Sequence, residues 1–245
     1  GENILFKMSE NEVIDNYMKI KNQIKELCSG FESFPELLVV SKYQSEENIK
    51  LLHEKTDQKI FGENYVQELM EKSRNLPKSI KWHFIGHLQS NKVKTLLSID
   101  NLEVIETVDS IKLAQVLNKE CQLQGRSVLK VMIQVKTSNE VNKSGAQISE
   151  AINIFEYIIS ECRNLKFQGL MTMGDSDVNL TSECFNKMVN LRNIINEKIS
   201  KNGNYDQSIE CRLSMGTTRD MEIAIKNHTN EVRIGSAIFG DKKKG

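Results

Sequence analysis

Eight short apolar runs, at residues 37–42, 59–62, 81–86, 102–108, 128–135, 166–173, 210–215 and 231–235, alternate with amphipathic segments along almost the whole chain. Runs of this length and composition suit strands buried on both faces of a parallel sheet. The intervening segments, 45–55, 63–74, 88–97, 110–124, 147–162, 181–200 and 218–227, carry apolar residues near the helical period, often with Ser or Thr near the start. A further helix-like stretch, 10–28, precedes the first run, with Val13, Ile14, Tyr17, Ile20, Ile24 and Leu27 along one stripe. Eight such units in 245 residues predict an α/β fold, a single (β/α)8 TIM-type barrel with an extra amino-terminal helix. A doubly wound open sheet shares the rhythm, but eight units leave no stretch for a second domain. The two prolines, Pro35 and Pro77, mark no linker, so residues 1–245 read as one domain.

The chain has 33 basic and 33 acidic side chains, a formal charge of zero, with 39% hydrophobic and 27% charged residues. This describes a soluble globular protein and argues against binding to nucleic acid or an anionic membrane, which shows as a basic excess. No apolar stretch reaches the roughly 20 residues of a membrane-crossing helix, and the start of the chain lacks the plan of a signal peptide. The expected compartment is the cytoplasm; Gly1 in place of methionine leaves an organellar targeting segment, removed from this chain, as the alternative. Cys28, Cys121, Cys162, Cys184 and Cys211 form no C-x-x-C pair and read as small buried apolar residues rather than a disulfide framework or a metal site. The triplets at Asn142, Asn179 and Asn227 match the glycosylation pattern by chance in an asparagine-rich chain, and Asp241-Lys242-Lys243-Lys244 reads as a solvated tail. A lone barrel of zero net charge is expected to be a monomer.

In a barrel, the residues just after each strand meet at one end. Lys42 closes the run Leu37-Leu38-Val39-Val40-Ser41-Lys42 and brings an amine there; the bland alternative is a lysine snorkelling at a strand edge. Gly62-Glu63-Asn64, Gly86-His87-Leu88-Gln89 and Met173-Gly174 end strands two, three and six. Ser214-Met215-Gly216-Thr217-Thr218 ends strand seven, and Arg233-Ile234-Gly235-Ser236 ends strand eight. Small and hydroxyl residues in those last two places suit a phosphate, which backbone N–H groups and hydroxyls can approach closely. A lysine amine condenses with a carbonyl, so the pairing points to an aldehyde cofactor that carries a phosphate, with pyridoxal phosphate as first candidate. Aldolases and phosphosugar-binding barrels fit the same features. Tyr43 is expected to pack away from Lys42, because neighbouring side chains on a strand point in opposite directions. His83 reads as a satisfied structural histidine and His87 as a residue of the rim.

The blocks Val39-Val40-Ser41-Lys42, Gly62-Glu63-Asn64-Tyr65-Val66-Gln67-Glu68 and Trp82-His83-Phe84-Ile85-Gly86-His87-Leu88-Gln89-Ser90-Asn91-Lys92 are followed by Gly169-Leu170-Met171-Thr172-Met173-Gly174, Leu213-Ser214-Met215-Gly216 and Val232-Arg233-Ile234-Gly235-Ser236-Ala237-Ile238-Phe239-Gly240. In this order, over about residues 10–240, the chain resembles the pyridoxal phosphate homeostasis protein family, also called the proline synthetase co-transcribed family. The resemblance implies a barrel similar to the amino-terminal domain of alanine racemase, pyridoxal 5'-phosphate as cofactor, and Lys42 as its Schiff-base lysine. It further implies that Ser214, Gly235 and Ser236 hold the phosphate, that Arg233 faces the pyridine nitrogen, and that Asn64 and Ile85 line the ring. An arginine there cannot donate a proton as an aspartic acid would, which disfavours carbanion chemistry. The implied role is a non-catalytic pyridoxal phosphate-binding protein of vitamin B6 homeostasis that supplies apo-enzymes. The alternative is a fold-related amino acid racemase or decarboxylase, which needs a second acid or base opposite Lys42. The chain departs from the family pattern at Asn227-His228-Thr229, where Gly-Ser-Thr is usual, and at Thr217-Thr218-Arg219, where Met-Ser and a variable residue are common.

Overall fold

The eight runs form strands that close on themselves. In the computed structural model, which describes residues 9–141 and 144–240, the strands are β1 (Glu36–Val40), β2 (Ile60–Glu63), β3 (Lys81–Phe84), β4 (Leu102–Val108), β5 (Leu129–Gln134), β6 (Leu165–Met171), β7 (Arg212–Ser214) and β8 (Glu231–Ile234). They pair in sequence order, all parallel, and β8 returns to β1 with Glu36 opposite Glu231 and Val39 opposite Ile234. The helices α1 (Glu10–Leu27), α2 (Glu46–Lys55), α3 (Val66–Asn75), α4 (Val93–Leu97), α5 (Ile111–Leu123), α6 (Ile148–Glu161), α7 (Val178–Lys201), α8 (Met221–Lys226) and α9 (Ser236–Phe239) complete the fold. The closed barrel expected from the alternation is present. Asn142, Lys143 and residues 241–244 lie outside the described residues.

Strand alternation divides the sheet into two faces. Val39, Phe61, Trp82, Ile105, Val131, Phe167 and Val232 belong to one buried cluster with helix residues such as Ile49, Leu69, Leu117, Phe155 and Phe185. The residues of opposite parity fill the barrel: Leu38, Val104 and Met132 are buried there with His83, Glu106, Ser214, Glu231 and Arg233. The interior is tight. A Cβ on Gly62 would stand 2.4 Å from Leu38 Cδ2 and 3.0 Å from Ile85 Cδ1, so a side chain at this inward position on β2 would have to displace those of Leu38 and Ile85. The extra helix α1 is capped by Ser9, whose side chain accepts from Glu12 N–H. Its buried Val13, Ile20 and Ile24 each contribute about 1.5–3 kcal/mol by leaving water. Asn16 Nδ2 donates to Ile238 C=O at 3.1 Å, tying α1 to α9.

Several boundaries differ from the sequence reading for identifiable reasons. β1 stops at Val40 rather than running to residue 42, because the chain turns at Ser41, whose carbonyl accepts Gln44 N–H at 3.0 Å. Tyr43 sits in the left-handed region with φ 63°. The alternation argument therefore does not apply to Lys42 and Tyr43; Tyr43 is partly exposed and its ring lies 5.4 Å from that of Tyr65. α7 begins at Val178, earlier than residue 181, with Asp177 accepting Asn179 N–H. The segment 88–97 is a 3₁₀ turn, Ser90–Lys92, followed by the short α4. β7 is only three residues long and shares one register pair with β8, Ser214 opposite Glu231. Other groups complete that closure: Asn230 Oδ1 accepts Leu213 N–H at 2.8 Å, Met215 N–H donates to Glu231 C=O at 3.1 Å, and Thr229 Oγ1 lies 3.2 Å from Leu213 O and 3.1 Å from Met215 O. All five cysteines are buried and unpaired, as expected. No described helix is long and apolar enough to cross a membrane.

Candidate functional site

At the carboxyl ends of the strands lies a cavity of about 340 Å³, within the range of small-molecule sites. Six of the residues expected at a site line it: Lys42, Asn64, Ile85, Arg233, Gly235 and Ser236. Val40, Met173, Thr217, Thr218 and Arg219 complete the wall. Lys42 is half-buried on the turn after β1 and makes no hydrogen bond or ion pair among the described residues. Gly235, at the junction of β8 and α9, keeps the wall thin: a Cβ there would stand 3.1 Å from Val40 O. Asn64 Oδ1 is buried without a partner among the described residues.

Arg233 is buried and fixed by hydrogen bonds from Nη1 to Ser214 Oγ at 2.6 Å and from Nη2 to Thr172 C=O at 2.8 Å, with Met173 Sδ 3.7 Å from Nη2. Ser214 does not line the cavity. It lies wholly buried inside the barrel, where its hydroxyl accepts from Arg233 and donates to Glu231 Oε2 at 2.5 Å. Glu231 Oε1 is 3.4 Å from His83 Nδ1, which lies 2.8 Å from Glu106 Oε2. A chain of polar groups thus runs from Arg233 through the barrel interior to Glu106.

Burial opposes a charge on His83, but the hydrogen bonds to Glu106 and Glu231 and their negative charges outweigh it and push the imidazole up to about 10. Burial likewise works against Glu106, yet its bond to His83, together with the charges of His83 and Arg233, holds it down to about 2. Burial and the neighbouring charge of Glu106 push Glu231 up to about 7. Two carboxyls beside one imidazolium do not ionise equally, and the shorter bond gives the charge to Glu106. Ligand-type atoms of His83, Glu106 and Glu231 lie within 4.8 Å of one another, as around a cation. The other ring nitrogen of His83, Nε2, is buried without a partner among the described residues.

These shifts fix the sign of the pH dependence of stability. The raised His83 contributes stability that is complete below 6.5 and lost as pH rises through about 10. The raised Glu231 contributes stability that is complete below 4.5 and lost as pH rises through about 7; Glu63, pushed up to about 7 by burial, adds the same sign. The lowered Glu106 contributes stability present above 4.5 and lost as pH falls through about 2. The denaturant midpoint is expected to peak at about pH 4 and to fall on both sides. A midpoint that climbs steadily from pH 5 to pH 8 would contradict this account.

The family profile described as alanine racemase, N-terminal domain, matches residues 16–243. A human protein named pyridoxal phosphate homeostasis protein is 44% identical over 194 residues, 76% of this chain and 69% of the human one. The chain belongs to the pyridoxal phosphate homeostasis protein family. The relative of that name from Caenorhabditis elegans is 40% identical over 215 residues, 84% of this chain and 86% of its own. The structure of PipY from Synechococcus elongatus, solved with PLP bound, superposes with a TM-score of 0.76 at 24% identity, covering 93% of this chain and 100% of PipY, and shows the same fold.

The two departures from the family pattern fall in different places. Asn227 and His228 lie between α8 and β8, at the end of the barrel away from the cavity, where the His228 ring packs 5.1 Å from Phe31. Thr217 and Thr218 line the cavity itself. Sequence reasoning missed Glu106, Glu231 and Lys72. The first two carried a signal, since Val104-Ile105-Glu106 and Glu231-Val232-Arg233 put each acid on the inward parity of its strand. Arg219 also escaped notice as a wall residue, one position beyond the quoted loop after strand seven.

Proposed function

We propose that this family member is a non-catalytic pyridoxal 5'-phosphate-binding protein that holds the cofactor as a Schiff base on Lys42 and takes part in intracellular vitamin B6 homeostasis, passing the cofactor to apo-enzymes. The observation that carries the proposal is the Lys42 amine, unpaired among the described residues, in the wall of a cavity that also presents Thr217, Thr218, Gly235, Ser236 and Arg233. The residues fit the group. Three cations, Lys42, Arg219 and Arg233, line the cavity with no carboxylate, which suits a phosphate dianion. Asn64 Oδ1 is a buried polar atom left for a ligand. The names of the relatives point the same way.

When bound, the cofactor supplies an aldehyde that condenses with an unprotonated amine. The hydroxyls of Thr217, Thr218 and Ser236 and the close backbone of Gly235 would hold the phosphate, and Asn64 and Ile85 would wall the ring. Arg233, pinned by Ser214 and Thr172, presents a fixed guanidinium that does not give up a proton. Ser214 serves the site by orienting Arg233. The non-catalytic reading is supported by the cavity wall, in which no carboxyl, imidazole, thiol or phenol occurs among the described residues. Tyr43 stands outside that wall, and the neighbouring Tyr65 hydroxyl pushes its phenol above the usual value, which makes it a poor base at neutral pH.

The test loads the protein with pyridoxal phosphate, removes the excess, reduces with borohydride and maps the modified peptide. A visible absorbance band and a single label on Lys42 are expected, and Lys42→Ala is expected to lose both. Label scattered over surface lysines would sink the assignment. The loaded protein is also expected to reactivate a cofactor-free acceptor enzyme and to leave the α-proton of amino acids unexchanged in deuterium oxide. Lys42-dependent exchange would favour the racemase or decarboxylase reading instead.

A further inference from the structure

The backbone on either side of Lys42 is held by a single cluster of side chains centred on the buried Lys72. Lys72 Nζ, on α3, donates to Ser41 C=O at 2.8 Å, to Glu63 Oε2 at 3.0 Å and to Glu68 Oε2 at 2.6 Å. The same Glu68 oxygen accepts Tyr43 N–H at 2.7 Å, and Ser41 Oγ donates to Glu63 Oε2. Lys72 is 5% exposed and Glu63 0%. An ammonium is almost never buried so deeply without partners, and here its three donors find three acceptors. The carbonyl before Lys42 and the amide after it are therefore fastened to one another through Lys72 and Glu68.

Such fastening is needed at this place. The β1 ladder has ended, and Tyr43 occupies a left-handed conformation that costs a non-glycine residue about 1–3 kcal/mol and persists only where the surroundings over-determine it. Lys42 itself has no side-chain partner among the described residues, so the direction in which its amine enters the cavity is set through its backbone alone. If Tyr43 relaxed to negative φ, the turn would rotate and carry the Lys42 side chain with it.

We propose that Lys72 and Glu68 are positioning residues for Lys42, a clamp that aims the amine at the carbonyl of an incoming aldehyde cofactor. The proposal rests on the reading of Lys42 as the attachment site. A merely structural ion pair would stabilise the fold without governing how fast Lys42 is modified.

The test compares the whole chain with Glu68→Ala, Glu68→Gln and Lys72→Met. Glu68→Ala removes the acceptor of Tyr43 N–H but leaves Lys72 paired with Glu63 and Ser41, so the fold is expected to survive. Three quantities are read: the rate of appearance of borohydride-fixed pyridoxal phosphate on Lys42, the hydrogen exchange of the Tyr43 amide without cofactor, and the denaturant midpoint. Glu68→Ala is expected to slow labelling at least tenfold and to speed Tyr43 exchange at least tenfold at a nearly unchanged midpoint. Glu68→Gln, which keeps an acceptor oxygen, is expected to recover most of both. Lys72→Met, if it folds, is expected to slow labelling further. Labelling and exchange at wild-type rates in folded Glu68→Ala would overturn the clamp. Absence of label on Lys42 in the wild-type chain would instead overturn the attachment site, and the Tyr43 exchange would still decide whether the clamp exists.

Discussion

His83→Leu is expected to destabilise the protein by about 3–5 kcal/mol, the usual cost of removing one partner of a buried ion pair. The imidazole is 4% exposed and stands 2.8 Å from Glu106 and 3.4 Å from Glu231. Leucine would leave both carboxyls inside the barrel without the cation between them, and neither can reach water. At about 2–4 °C per kcal/mol for a chain of this size, the unfolding temperature should fall by roughly 10 °C. The double variant His83→Leu/Glu106→Gln removes the stranded charge and is expected to recover at least half of the loss, because the penalty belongs to the unpaired ion rather than to the missing contact. Denaturant unfolding of the single and double variants gives the coupling directly. A loss below about 1 kcal/mol in the single variant would show that the carboxyls do not depend on the imidazole.

Gly86→Ala should also be costly, for a steric rather than an electrostatic reason. A Cβ there would stand 1.9 Å from Asn64 O and 2.6 and 2.7 Å from Asn64 C and Cα. All three are backbone atoms, so no rotamer change relieves the clash and the ends of β2 and β3 must separate. The expected cost is about 3 kcal/mol, at the top of the range for overpacking. Because Asn64 lines the cavity, retention of pyridoxal phosphate should weaken with stability. Gly203→Ala is the control: nothing lies within 4 Å of its Cβ position, and a change within about 0.5 kcal/mol is expected. Equal unfolding midpoints for the two variants would refute the argument.

The barrel was legible in the sequence because alternating apolar runs and helical stripes report burial directly. Strand ends were less so. Ser41 and Lys42 follow the apolar run with no proline or glycine to mark its end, and what ends the ladder is a hydrogen-bond set that includes Lys72, thirty residues further on. A lysine on an amphipathic helix reads as a solvated one, and only the folded chain brings Glu63 and Ser41 to it. Ser214 shows a related gap: its position along the chain gave its strand, but not its depth below the cavity. The family resemblance carried six residues that do line the cavity. It could not describe how Arg233 is held, since Glu231, Glu106 and His83 form no contiguous motif.

The narrow junction of β7 and β8, with its single register pair, has a bearing on how variants of this protein should be interpreted. The two strands that meet there also carry Thr217, Thr218, Gly235 and Ser236. Thr229 and Asn230, at the opposite end of the cylinder, supply part of its fastening. In a screen for lost cofactor retention, substitutions at those two distant positions will therefore appear beside substitutions in the cavity wall. They will act by unfastening the staves on which the ligand loops are mounted.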